Sequence, residues 1–354
     1  QLFFHFSFME SPLSSVLQQK MTFRSDIAGL RAWAVLVVVL FHFNIPGFGG
    51  GFIGVDIFFA ISGYLMAQII LRGLERGSFS LWAFYLARAR RIVPALLVLC
   101  AVLLALGWFV LPATDYRPLG MHALTSVLFA SNVQYWREAG YFDAASHDKW
   151  LLHTWSLSVE WQFYLVLPLL LWGVWRLWPG RRNAARVLIA LLLASLALSI
   201  WLTSQKPEAA FFLLPTRAWE MLAGALVALY TGGGGYNPLA PGRQRALEGM
   251  GFAMMAFSIT TANPAHWPGA AALLPVLGTG LVLLAQRQDS VWTAPPVLQR
   301  LGYWSYSIYL WHWPVAVALV YGGWQSKAGA VIAGLGLSLV LGWLSYRWVE
   351  PLGR

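Results

Sequence analysis

The sequence is poor in charge and nearly without cysteine. Only 11% of its 354 residues are charged, while 58% are hydrophobic. A soluble domain carries about 25% charged residues, so a water-exposed surface cannot be built from this chain. Cys100 is the single cysteine, which excludes a disulfide framework and a cysteine-built metal site. Lying in the apolar run 92–111, it reads as a small buried hydrophobe. No Cys/His cluster suggests a metal. Acids are scarce, 14 against 24 bases, for a net charge of +10. The bases fall in short clusters between apolar runs, which argues for membrane topology and against nucleic acid. The first 20 residues lack the charged region and cleavage site of a signal peptide. The glycine-rich stretch 231–243 lacks the Gly-Lys-Ser/Thr ending of a phosphate cradle. No solenoid repeat is visible.

What is there is a series of apolar runs, many approaching the roughly 20 residues that cross a bilayer as a helix. They predict spans at 30–45, 51–71, 92–111, 153–175, 185–203, 212–230, 246–262, 270–286, 303–322 and 326–346. The shorter run 122–136 reads as re-entrant or interfacial. With ten spans, eighteen of the 24 basic residues fall on one side; making 122–136 an eleventh span destroys that asymmetry. The positive-inside rule therefore predicts an all-α integral membrane protein of about ten transmembrane helices, both ends cytoplasmic. Residues 1–22 form a cytoplasmic lead-in and 23–354 one transmembrane domain.

Ionisable groups inside such runs are expensive and mark candidate function. Three sit in or at the edge of the two apolar helices within 23–64: Arg31, His42 and Asp56. Arg31 and His42 stand three helical turns apart, so both leave one face about 16 Å from each other. The plain alternative is a snorkelling arginine and a structural histidine. Arg88 and Arg91 share a helix face. Two such guanidinium forks either grip a phosphate or anchor the topology; Arg90, between them, is expected at lipid headgroups. Glu160 lies about two turns into its helix, where a carboxylate protonates or finds a cation such as Arg217. Arg217 and Glu220 are also spaced to pair with each other. His312 sits near mid-helix among aromatic residues, which line a polar cavity, stack on sugar, or simply pack. By depth, Arg31, Arg88 and Arg91 belong to the inner side and His42, Asp56, Glu160, Arg217 and Glu220 to the outer half. His312 lies between. This polarity suits a donor entering from one side and an acceptor waiting on the other; it suits an ion-coupled transporter equally.

Several strings resemble the membrane-bound acyltransferase-3 family, whose members O-acylate bacterial surface polysaccharides and related acceptors. They are Arg31 and His42 with ten residues between; Gly54-Val55-Asp56-Ile57-Phe58-Phe59 with Ser62-Gly63-Tyr64; and the Arg88 and Arg91 pair. Further along come His153-Thr154-Trp155-Ser156-Leu157-Ser158-Val159-Glu160, Leu214-Pro215-Thr216-Arg217-Ala218-Trp219-Glu220, Ser305 to Pro314, and Tyr346-Arg347 with Glu350-Pro351. Trp161 departs from the pattern, since an acidic residue is common there.

The resemblance implies an O-acyltransferase of the bacterial cytoplasmic (inner) membrane. Its donor is cytoplasmic acyl-CoA, expected to be acetyl-CoA. Its acceptor is a hydroxyl of an extracytoplasmic glycan, lipopolysaccharide O-antigen or another surface polysaccharide. Arg88 and Arg91 are expected to hold donor phosphates, with Arg31 at the inner mouth. His42 is the general base or the acyl carrier, and Asp56 or Glu160 orients it. Arg217, Glu220 and His312 are candidates for acceptor contact. Membrane lipid is the remaining partner; no metal and no nucleic acid are expected. The competing class is a transporter or flippase for a lipid-linked glycan, which binds without transferring an acyl group. Gly140-Tyr141-Phe142-Asp143 and Leu151-Leu152-His153-Thr154-Trp155-Ser156 resemble the subgroup that carries an outer SGNH-type domain. The sequence as given holds no SGNH domain; it is expected to be the membrane part of a longer protein, the alternative being a stand-alone ten-helix enzyme.

Overall fold

The computed structural model describes residues 24–138, 149–232 and 239–353. The lead-in 1–22, the string at 140–143 and residues 233–238 of the glycine-rich stretch lie outside the described residues. Among the described residues there are helices and no strand. In chain order the helices are α1 Ser25–His42, α2 Gly54–Glu75, α3 Leu81–Val110, α4 Ala113–Val127, α5 Ser131–Glu138, α6 Thr154–Leu177 and α7 Arg181–Gln205. They continue with α8 Pro207–Phe212, α9 Leu214–Thr231, α10 Pro241–Thr261, α11 Leu273–Ala285, α12 Pro296–Tyr321 and α13 Ala328–Leu344.

All ten expected spans are helical. Among the described residues, seven stretches are long and apolar enough to cross a membrane: α1, α2 with its preceding turn, α3, α6, α7, α8 with α9, and α13 with the turns after it. The chain is a multi-pass membrane protein. Helices α10 and α12 have the length, with 21 and 26 residues, but carry more polar side chains. Helix α11 has 13 residues, about 20 Å at 1.5 Å per residue, short of a hydrocarbon core of roughly 30 Å.

The run 122–136 is broken in two because α4 ends at Val127. Phe129 takes φ 53°, and the amides of Phe129 and Ala130 turn back to the carbonyls of Ser126 and Thr125. That is a Schellman ending with phenylalanine where glycine is usual. The ring is held by stacking on Trp161, with centroids 4.3 Å apart. Helix α1 ends the same way. Asn44 has φ 53°, the Ile45 amide reaches the Leu40 carbonyl, and His42 falls in the last turn.

Burial sorts the helices. In their apolar windows 78% of α2 and 67% of α1 are buried, against 17% of α7 and 22% of α13. The first pair is the core and the second faces lipid. Between apolar helices in lipid, close packing replaces the hydrophobic drive, and small residues permit it. A side chain at Gly63 of α2 would come within 1.8 Å of the Met221 carbonyl, and one at Gly224 of α9 within 1.8 Å of the Ala60 carbonyl. These two contacts join α2 to α9; Gly302 against the Ala28 carbonyl joins α12 to α1. After α13 the chain turns back through Glu350–Gly353 to α3, where Gly353 packs on the Arg90 carbonyl. Pro94 has no N–H to bond that carbonyl, so it stays open to the approach.

Candidate active site

Two cavities meet at Arg31. The inner chamber, about 90 Å³, lies among five helices. Its polar lining is Arg31 of α1, Ser62 of α2, Arg88 and Arg91 of α3, Glu160, Tyr164 and Ser156 of α6, and Ser305, Tyr306 and Tyr309 of α12. A wider vestibule of about 840 Å³ adjoins it, with Arg31, Leu65 and Arg91 in both walls. The vestibule adds Arg24, Arg72 and Arg90, together with Tyr346, Glu350 and Gly353 from the carboxyl-terminal turn. Five arginines stand there against one glutamate, Arg24 being ion-paired to Asp26, so the wall is cationic.

Each chamber group has a local reason for its place. Arg31 Nε donates to Ser305 Oγ at 3.0 Å, across the α1–α12 contact that Gly302 permits. Glu160 Oε1 accepts from both Ser62 Oγ and Tyr164 Oη. Arg88 Nε is buried with no hydrogen-bond partner among the described residues. The expected depths change here. Helix α3 begins at Leu81, where the Ser80 hydroxyl accepts from the Ala83 amide. Arg88 and Arg91 therefore sit about 10–15 Å into the helix rather than at its mouth. Glu160 lies about 9 Å into α6 from the other end. The carboxylate expected in the outer half thus shares one chamber with Arg31, Arg88 and Arg91. Arg90, expected at headgroups, lines the vestibule instead.

His42 and His312 form a pair. His42 Nδ1 lies 2.9 Å from His312 Nε2, with the rings 23° apart. His312 Nδ1 is 2.7 Å from the Tyr309 carbonyl and 3.3 Å from that of Ile308. The Trp313 ring stands edge-on to His42 at 4.7 Å, and the His153 ring lies 5.9 Å from His312. Neither His42 nor His312 is in the lining of the chamber or of the vestibule. Tyr309 joins the two regions. Its hydroxyl is 2.6 Å from Ser156 Oγ and donates to the His153 carbonyl at 2.9 Å, and its ring lies 5.4 Å from His312.

Asp56, Arg217 and Glu220 gather elsewhere. Arg217 donates to Asp56 at 3.1 Å and is ion-paired to Glu220 at 3.1 Å. The guanidinium lies over Phe59, Trp155 and Phe211, 5.4–5.7 Å from each ring. All three charged residues are fully buried and none lines either cavity. The group on His42 Nδ1 is thus a histidine, not the carboxylate expected: Asp56 is engaged by Arg217 across the α2–α9 seam, and Glu160 by Ser62 and Tyr164.

Sequence reasoning missed Ser62, Tyr164, Ser305 and Tyr309 as chamber groups. The signal was present in α12, where Ser305, Tyr306 and Tyr309 recur at helical spacing on one face. Arg24, Arg72 and Arg90 were hidden because a positive-inside cluster and an anion site look alike in sequence.

Helices enclosing an arginine-lined chamber, with a histidine pair behind one wall, define a polytopic membrane protein with a charged interior rather than an anchor. A type 3 family model described as "Acyltransferase domain" matches residues 24–347, and the chain belongs to the acyltransferase-3 family. It is similar to "Peptidoglycan O-acetyltransferase OatA" of Listeria monocytogenes, 29% identical over 92% of this chain and 55% of that protein. It is similar to "Putative membrane-bound transacylase BcsY" of Komagataeibacter xylinus, 32% identical over 93% of this chain and 83% of that protein. It is also 28% identical to "Putative O-acetyltransferase SAS0844" of Staphylococcus aureus, over 94% of this chain and 57% of that protein. The chain spans little more than half the length of the Listeria and staphylococcal relatives. No solved structure matches.

Proposed function

We propose that this chain is an O-acyltransferase that moves an acyl group, acetyl by the names of its relatives, from acyl-CoA to a hydroxyl of a glycan. The observation that carries the reading is the arginine-lined vestibule adjoining, at Arg31, a smaller chamber lined in part by Tyr309, whose ring touches the histidine pair. In this reading the chain crosses the bacterial inner membrane ten times, the short α11 doing so together with the turn at 269–272 before it, both ends are cytoplasmic, and the vestibule opens to the cytoplasm.

Acyl-CoA is an anion carried on a thin arm. Its phosphates belong with Arg72, Arg90 and Arg91 in the vestibule, and its arm with Arg31, Arg88 and the Ser62–Glu160–Tyr164 group. His42 takes the proton of the acceptor hydroxyl as oxygen attacks the thioester carbonyl. The C–O bond forms, the C–S bond breaks, and the proton returns to the leaving thiolate. General-base help of this kind is worth about 10²–10⁴-fold. Arg88 Nε–H is an available donor for the developing oxyanion. Asp56, Arg217 and Glu220 hold α2 to α9 and take no part in the chemistry.

The test is to incubate membranes of the native host, carrying their own glycan, with radiolabelled acetyl-CoA. Alkali-labile label in the glycan fraction is the expected result. Binding of the donor with no label transferred would favour a transporter instead.

A further inference from the structure

We propose that His312 is a positioning residue, holding His42 in the tautomer that a base requires. The inference rests on the reading of His42 as base. It takes His312 out of acceptor contact, where its aromatic surroundings had put it.

A carbonyl only accepts, so His312 Nδ1, 2.7 Å from the Tyr309 carbonyl, must carry the hydrogen. In neutral His312 the lone pair then lies on Nε2. That nitrogen faces His42 Nδ1 at 2.9 Å, so His42 Nδ1 is the donor and the lone pair of His42 lies on Nε2. A flip of either ring would set a C–H where a hydrogen bond now stands. His312 is fully buried and is braced by the backbone of its own helix, with no mobile side chain between. The Phe41 and Trp313 rings, 5.0 and 4.7 Å from His42, flank the imidazole.

Orienting a histidine is usually work for a carboxylate. Here Asp56 is bound to Arg217 and Glu160 accepts from Ser62 and Tyr164. A histidine in that place adds no charge to the membrane interior. It also keeps a use after proton transfer. Once His42 Nε2 has taken the acceptor's proton, His312 Nε2 can take the proton on His42 Nδ1 while His312 Nδ1–H stays on the Tyr309 carbonyl. The cation then belongs to the pair until the thiolate reclaims a proton. Besides His42 on α1, the titratable groups against His312 among the described residues are His153, 5.9 Å away from α6, and Tyr309, 5.4 Å away on α12.

The experiment follows label transfer from radiolabelled acetyl-CoA to glycan in native-host membranes holding equal amounts of each variant. His312→Ala is expected to lower kcat by on the order of 10²-fold with KM for acetyl-CoA unchanged, and to displace the acid limb of the kcat/KM–pH profile. His312→Gln, whose Oε1 can accept from His42 Nδ1, is expected to restore roughly tenfold of that loss without restoring the limb. Should the alanine variant fail to insert, His312→Phe fills the space without an acceptor and takes its place. An acid limb that stays put, or a glutamine variant no better than alanine, overturns the proposal and leaves His312 as packing. Full activity in His42→Ala would instead remove the reading on which it stands.

Discussion

Tyr309 Oη and Ser156 Oγ lie 2.6 Å apart, and both side chains line the inner chamber. The bond pins α12 to α6 at the wall that separates the chamber from the histidine pair. Tyr309→Phe removes it together with the bond to the His153 carbonyl. Two neutral hydrogen bonds are worth about 1–3 kcal/mol net. A drop of that size in unfolding free energy is expected, with a fall in kcat and little change in KM for acetyl-CoA. Thermal melting in detergent and initial rates measure both. An unchanged kcat would show that the wall's position does not matter.

His42→Ala should abolish acyl transfer, by about 10²–10⁴-fold, while the protein still inserts and binds donor. The motive is a buried imidazole in the last turn of α1, paired with His312. Quantified label in the glycan, normalised to protein in the membrane, decides it; near-wild-type transfer sinks the catalytic role.

Arg88→Ala with Arg91→Ala should weaken acetyl-CoA binding more than either single change, since both guanidinium groups line one chamber. Arg90→Ala and Arg72→Ala, which alter only the vestibule, should weaken CoA without its acyl group by the same factor as acetyl-CoA. Equilibrium binding in nanodiscs at two salt concentrations reads both effects. Affinity unchanged in all four, with orientation in the membrane disturbed, would return the cluster to a topological role.

Arg217→Met is expected to destabilise the fold by about 3–5 kcal/mol, because it leaves two buried carboxylates without their cation. Adding Asp56→Asn and Glu220→Gln should recover part of that loss. Melting temperatures of the single and triple variants test the idea. A stable single variant that cannot use its acceptor would make Arg217 a substrate residue after all.

Glu138 supplies a pH prediction. Burial alone would raise its carboxyl, but bonds from His122 and Gln134 and the charges of His122 and Lys149 outweigh that and lower it to about 2. An unfolded glutamate titrates near about 4.3. The folded group therefore contributes stability above that value, and the contribution is lost as pH falls toward 2. The melting temperature of Glu138→Gln should fall less steeply than wild type between about pH 5 and 3; parallel curves would refute the linkage.

Much of this arrangement could be read beforehand, and the exceptions have physical causes. Ten apolar runs became helices because length and hydropathy are local properties. The break in 122–136 was not legible locally, since at Phe129 it uses no glycine or proline and is accompanied by stacking against Trp161. Arg31, Arg88 and Arg91 were placed together by spacing and depth. Glu160, about two turns into its helix as expected, meets Arg88 and Arg91 because α3 begins at Leu81 rather than at 92 and so carries both arginines further into their helix. The partner of His42 lies 270 residues away, and no periodicity reports a contact of that kind. Asp56, assigned to His42, went to Arg217 because Gly63 and Gly224 bring α2 against α9.

The interlocked glycines of α2 and α9 carry a mechanical consequence. With each backbone pressed into the other at two levels and a charge clamp above them, this pair is a keel along which neither helix can slide. A machine that rocks between inward and outward faces would need such a seam to yield. Here the span between Arg31 and His42, about 16 Å along α1, must be covered by the reach of the donor itself, threaded past a stationary frame.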